Sequence, residues 1–283
     1  MKLIIDDGFR ADLVKDAFFE GAMEIPIIKK PEKIVIPEAL IPFSKRKRSN
    51  EHKEAIHFYE HDRVFAPLIM DVEKYLDEIK RFPAVISPDC SLYVDMPLCL
   101  QIANTYMNRA IGAYLQSKGI YVIPNVRWGD ERSYTTCELP EKFAFLGIEK
   151  HSIVSIGTYG CIQGKEYRRY FYEGLKAMLE ELEPKVVLVY GAMPDDIFEE
   201  VKKTTEFVQY YDWRYYRHCP AINNEKRQQI LKKSVAFFIA VKAATKTTST
   251  LLQKTSLFYR RKPPIIWASA SASVNPKDIS FIN

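Results

Sequence analysis

The segment KVVLVYGAMPDDIFEEVKKTT, residues 185–205, sets five consecutive apolar or aromatic residues, Val186–Tyr190, between a lysine and a glycine. A strand with one wet face alternates apolar and polar residues. An uninterrupted apolar run of this length fits a strand covered on both faces, as in a parallel sheet. Pro194, Asp195 and Asp196 follow at once. A proline near the start and acids in the first turn suit the positive end of a helix. Strand followed directly by helix is the signature of a βα unit.

The same rhythm extends in both directions. AIHFYEHD (55–62), AVISPD (84–89), IYVIPNV (120–126), SIVSIGTYG (152–160) and EFVQYYDW (206–213) read as strands. DVEKYLDEIKRF (71–82), the long segment 97–119 between Pro97 and Gly119, and KEYRRYFYEGLKAMLEELEP (165–184) read as helices. The pattern predicts an α/β core domain over 54–220 with a mainly parallel sheet of βα units, either open or barrel-like. Residues 1–53 carry four prolines within 26–42 and a basic cluster at 45–48, and read as an N-terminal arm with a short helix near Ala11–Glu20. Residues 221–283 read as a basic C-terminal helix and tail.

The chain has 283 residues, 47% hydrophobic and 27% charged, the balance of a globular protein able to bury a core. Its five cysteines form no CxxC pair, which argues for reduced thiols rather than a disulfide framework. Asp6 and Asp7 interrupt any signal-peptide core, and SVAFFIAV (234–241) is too short to span a bilayer. These features predict a soluble cytoplasmic protein that makes no membrane contact. The net charge of +5 is uneven: residues 223–283 hold eleven Lys/Arg against two acids, or +9, leaving −4 for the rest. A basic tail on an acidic body points to nucleic acid as a partner, or to a solvated helix and end.

In parallel α/β folds, binding groups gather beyond the carboxyl ends of strands. The residues there include Asp62 after the first strand and Asp89 after the second. Asn125, Arg127, Trp128, Asp130 and Arg132 follow the third, Tyr159 the fourth and Tyr190 the fifth. Asp62, Asp89 and Asp130 are candidate catalytic carboxylates, as Mg²⁺ ligands or as an acid–base pair. Arg127 and Arg132 suit phosphate, and Trp128 and Tyr159 suit stacking on a base or sugar. Asn125 and Tyr190 complete the candidate substrate-binding set. Helix capping is the competing explanation for every aspartate in such loops.

Other motifs carry less. HFYEH (57–61) matches the spacing of an inverted zinc-peptidase motif, but that chemistry needs a helix. On a strand, residues four apart lie roughly 13 Å from one another. GTYGCIQGK (157–165) is a glycine-rich strand-to-helix loop without P-loop spacing, and reads as either a phosphate cradle or a tight turn. No GxSxG is present, and Cys161 has no adjacent histidine. YYDWRYYRH (210–218) interleaves aromatics with Arg214 and Arg217, as single-stranded nucleic acid sites do, or as a last strand with packing aromatics.

One string of motifs is specific. Ser87-Pro88-Asp89, Ser91-Leu92-Tyr93, Asp95-Met96-Pro97, the stretch Asn104 to Arg109, Val122-Ile123-Pro124 and Trp128 to Ser133 resemble the phage and bacterial family catalogued as Domain of Unknown Function 4417. The resemblance covers roughly residues 50–220. It implies a phage or mobile-element context and brings no reaction with it. Glycine-rich tails are usual in proteins resembling this one, whereas this chain has no glycine after Gly191. The reading that follows is action on nucleic acid or nucleotides through the strand-end carboxylate/Arg/Trp site. The alternatives are a non-catalytic nucleic-acid- or protein-binding factor and a carbohydrate-active hydrolase.

Overall fold

The computed structural model describes residues 11–49 and 52–213. Seven parallel strands form its centre: β3 (Leu40–Pro42), β4 (Ala55–His57), β5 (Val85–Ile86), β6 (Val122–Ile123), β7 (Ile153–Gly157), β8 (Val186–Tyr190) and β9 (Glu206–Tyr210). They neighbour one another in chain order, as β3-β4-β5-β6 and β7-β8-β9. A parallel bridge between Asn125 and Ser155 joins the two sets. There the Val126 N–H donates to Ser155 O and the Ser155 N–H to Pro124 O, both at 2.8 Å.

Side-chain contacts show that this sheet curls on itself. His57 on β4 and Tyr190 on β8 are four strand steps apart, about 19 Å in a flat sheet at roughly 4.8 Å per step. Their ring centroids lie 4.3 Å apart. Tyr210 at the end of β9 donates from its hydroxyl to Pro37 O, on the segment entering β3, at 2.6 Å. The α/β expectation holds, and of its two forms the barrel is the one these contacts require.

Both faces of the strands are buried, which is why their sequences do not alternate. Ile56, Val85 and Val122 pack outward with Phe65 and Leu68 of α1 (Asp62–Met70), Ile79 of α2 (Leu76–Ile79), and Ile111 and Leu115 of α3 (Leu98–Ser117). Val154, Ile156, Val187 and Val189 pack with Phe171, Leu175 and Met178 of α5 (Lys165–Leu182), and with Ile197 and Phe198 of α6 (Asp195–Phe198). Partners in the ladders place Ile86 beside Ile123, and Asn125, Ser155, Leu188 and Val208 in one row. Small and polar residues thus enter the lumen towards its carboxyl end.

Several local expectations change. The run 55–62 is a strand for only three residues, because the chain turns at Glu60 and α1 starts at Asp62 with His61 as N-cap. The helix expected near 11–20 is a single 3-10 turn, Ala11–Val14, and β1 (Phe19–Glu20) pairs antiparallel with β2 (Ile25–Pro26). Residues 40–42, read from their prolines as arm, supply strand β3, with Pro42 at its end. Among the described residues no helix is long and apolar enough to cross a membrane. The basic segment 223–283, SVAFFIAV and most of YYDWRYYRH lie outside the described residues.

Candidate functional site

A polar scaffold fixes the ends of β5 and β6. Asn108 on α3 donates to Pro88 O (2.7 Å) and Asn125 O (3.2 Å), and accepts from the Ser87 hydroxyl (2.8 Å). Ser87 also accepts from the Asn125 N–H at 2.8 Å. Arg109, fully buried, donates to the carbonyls of Asn125, Ala144 and Leu146, each at 2.9 Å. Burial lowers its pKa to about 9, opposed by Cys90 and Glu20, while its hydrogen bonds go to backbone carbonyls and the Asn108 amide oxygen. Two loops are thereby held in register, one presenting Asp89 and the other Arg127.

Asp89 and Arg127 form an ion pair at 3.3 Å, with side chains 10% and 18% exposed. The other Asp89 oxygen accepts from Asn125 Nδ2 at 2.8 Å. Burial pushes the Asp89 carboxyl above its ordinary range, although Arg127 and Asn125 both oppose the shift. Burial works against the Arg127 charge, and Asp89, together with Cys161, Tyr93 and Asp62, outweighs it. Arg127 Nε is enclosed and has no hydrogen-bond partner among the described residues.

Tyr59, just beyond β4, closes this network from inside the barrel. Its hydroxyl lies 2.6 Å from Ser155 Oγ and donates to Asn125 Oδ1 at 3.0 Å. Its ring stacks on Tyr190 with centroids 5.0 Å apart. Gly157 makes room for it: a Cβ there would stand 2.6 Å from Tyr59 Cδ1. Burial, then Asp89, raises the Tyr59 pKa well above that of a free tyrosine, so the phenol keeps its proton.

Above these groups opens a cleft of about 300 Å³ at the carboxyl ends of the strands. Tyr59, Asp89, Arg127 and Cys161 line it, and Tyr93, Tyr159, Tyr167 and Tyr170 stand around it. Tyr159 is 81% exposed, and Tyr93 and Tyr167 about half exposed, unusual for large rings. Burial raises the Cys161 thiol, so it is not an activated thiolate.

The nine residues singled out from the sequence divide into three groups. Asp89, Arg127, Trp128 and Tyr159 line the cleft. Trp128 also belongs to the core, its ring 5.2 Å from that of Phe171 and its indole laid against Gly174. Asn125 and Tyr190 sit behind the lining, as supports for Asp89 and Tyr59. Asp62, Asp130 and Arg132 are absent from the lining. Asp62 accepts from the Ser91 N–H and hydroxyl at 3.1 and 2.7 Å, anchoring the loop after Asp89.

Asp130 caps α4 (Glu131–Tyr134). It accepts from the Arg132 N–H at 3.2 Å, from Arg132 Nε and Nη2 at 2.8 and 2.6 Å, and from the Asp95 N–H at 2.9 Å. Burial would raise its pKa, but the Arg132 hydrogen bonds outweigh that and hold it below the ordinary value. Among the described residues no three His, Cys, Asp or Glu side chains gather as metal ligands.

Three features look different from their sequence context. Tyr59 and Ser155, the lumen partners of Asn125, were hidden within strand-like runs. The trace that could have found them is Ser155 and Gly157 interrupting an apolar strand, a mark of close approach. His57 is a neutral core residue rather than a metal ligand: its Nδ1 accepts from the Tyr59 N–H at 3.1 Å, and burial lowers its pKa to about 3. Of the glycines in GTYGCIQGK, Gly157 ends β7 against Tyr59, and Gly160 and Gly164 serve turns at φ 76° and 79°.

The family described as Domain of unknown function (DUF4417) matches residues 17–211, and the chain belongs to that family. It is similar to "Gene 1 protein" of Mycobacterium phage L5, 32% identical over 160 residues that cover 56% of this chain and 67% of that protein. "Gene 1 protein" of Mycobacterium phage D29 is 32% identical over 163 residues, covering 56% of this chain and 57% of the phage protein. No solved structure matches the chain.

Proposed function

We propose that the protein acts on nucleotides or nucleic acid, taken up in the tyrosine-walled cleft at the barrel mouth. The observation that carries this reading is a buried Asp89–Arg127 pair facing a cleft ringed by exposed tyrosines. Exposed rings around a small opening leave apolar faces in water, and every nucleobase has a face that can cover them. Asp89, raised by burial, is a proton acceptor within the same space. The +9 charge of residues 223–283, a property of the sequence, adds long-range attraction for a polyanion.

Isothermal titration of the full chain with 5′-mononucleotides and a short single-stranded oligonucleotide tests the reading. Saturable binding at one site is expected, weakened at least about tenfold when Tyr93, Tyr159 and Tyr167 are all changed to alanine. These rings are exposed, so the triple variant should keep its fold. No saturable binding up to about 1 mM, the weak end of specific recognition, would remove the proposal. Binding that is indifferent to the triple substitution would move it away from this cleft.

A further inference from the structure

Resting on that reading, we infer that the Asp89–Arg127 pair takes the uncharged hydrogen-bonding edge of a nucleobase, and that any phosphate stays outside the cleft. The charge of the lining argues against a phosphate pocket. Among the described lining residues the carboxylates are Glu60 and Asp89, the one guanidinium is Arg127, the one imidazole is His61, and there is no lysine. The guanidinium is already paired with Asp89 at 3.3 Å. A phosphate entering here would meet Asp89 with no unpaired guanidinium or ammonium among the described lining residues to hold it, in a place where burial strengthens repulsion.

The unused hydrogen-bonding capacity points to a neutral ligand instead. Each Asp89 oxygen accepts one bond, from Asn125 or from Arg127, and a carboxylate oxygen has room for another. Arg127 uses Nη1 on Asp89, its Nε is enclosed with no acceptor among the described residues, and the side chain remains 18% exposed where it lines the cleft. The exposed part of the guanidinium can donate to a ligand oxygen or ring nitrogen. The site therefore offers an acceptor beside a donor. Nucleobase edges carry the complement, an N–H beside a carbonyl or ring nitrogen. The tyrosine walls supply the stacking faces on either side.

Nucleosides separate the two halves of a nucleotide. The full chain is titrated with adenosine, guanosine, cytidine and uridine, with their 5′-monophosphates, and with ribose 5-phosphate and inorganic phosphate. At least one nucleoside should bind within about threefold of its monophosphate, with little dependence on salt because no net charge is neutralised. Inorganic phosphate and ribose 5-phosphate should neither bind nor compete. Methylation that removes the donating N–H of the preferred base, at the ring nitrogen of guanine or uracil or at both positions of the exocyclic amine of adenine or cytosine, should weaken binding at least about tenfold. Monophosphates that bind more than about tenfold tighter than nucleosides, with competition by inorganic phosphate, would overturn the inference and leave the nucleotide reading standing. An edge-methylated base that binds as well as its parent would also overturn it. Failure of both nucleosides and nucleotides to bind would remove the inference together with the reading it rests on.

Discussion

Two acid–arginine pairs draw on the stretch VIPNVRWGDERSY, residues 122–134. Arg127 pairs with Asp89 across two strand ends, at 3.3 Å, and each carboxylate oxygen has one donor. Asp130 pairs with Arg132 two residues away, through two contacts of 2.8 and 2.6 Å, and two backbone N–H groups fill its remaining capacity. Their pKa shifts run in opposite directions: Asp89 is raised by burial, and Asp130 is held low by its donors. A carboxylate surrounded by donors is committed to the fold. One buried with a single charged partner, facing a cleft, keeps capacity for something that arrives later.

The largest effect should fall on the committed pair. Asp130→Ala removes the α4 cap and strands the N–H groups of Arg132 and Asp95, at a cost of about 3 kcal/mol. Urea denaturation reads this directly. A loss below about 0.5 kcal/mol, the scale of an ordinary surface change, would break the comparison from the structural side.

Arg127→Met should cost about 2 kcal/mol at neutral pH, because it leaves the Asp89 carboxylate buried without its counter-ion. The sign of its pH dependence follows from Asp89. A carboxyl whose folded pKa lies above its unfolded value favours folding at low pH, and that contribution is lost as pH rises through the folded value. Removing Arg127 raises the folded value further. The gap between wild type and variant should thus be widest at neutral pH and close as pH falls through the folded value of the wild-type carboxyl, below which Asp89 is protonated in both folded proteins. A gap that instead stays open in acid, below the ordinary carboxylate range, would mean that the pair is organised like Asp130–Arg132, whose carboxyl is held low.

The smallest effect belongs to the rim. Tyr159→Ala should weaken nucleoside binding by about 1 kcal/mol and leave the urea midpoint unchanged within error, since its ring is 81% exposed. A large stability loss would show that the ring packs rather than waits.

Much of this fold was legible because parallel strands covered on both faces write themselves as continuous runs, and VVLVY does so without ambiguity. Strand β3 was not, since three residues ending in proline look like arm until their neighbour Ala55–His57 is known. Barrel closure rests on contacts such as His57–Tyr190, between residues 133 positions apart, and no local pattern encodes them. The site was legible as a rim. Strand-end position brought Asp89, Arg127, Trp128 and Tyr159 into one cleft, but it could not separate a lining carboxylate from a cap. Asp62 and Asp130 have the same chemistry as Asp89 and differ only in what donates to them. Tyr59 was missed because its role depends on Asn125, 66 residues away.

The most direct test places Asp89→Asn beside Asp130→Asn, each an isosteric loss of one charge, and measures urea stability and nucleoside affinity on the same preparations. Asp89→Asn should stay within about 1 kcal/mol of wild type, because relief of a buried charge offsets the lost pairing with a partly exposed arginine. It should lose at least about tenfold in affinity, as one acceptor becomes a donor facing the ligand. Asp130→Asn should lose about 2 kcal/mol of stability and bind as wild type once folded. An Asp89→Asn protein that is clearly destabilised yet binds normally would contradict the account, because Asp89 would then be a second structural aspartate and the cleft would have no centre.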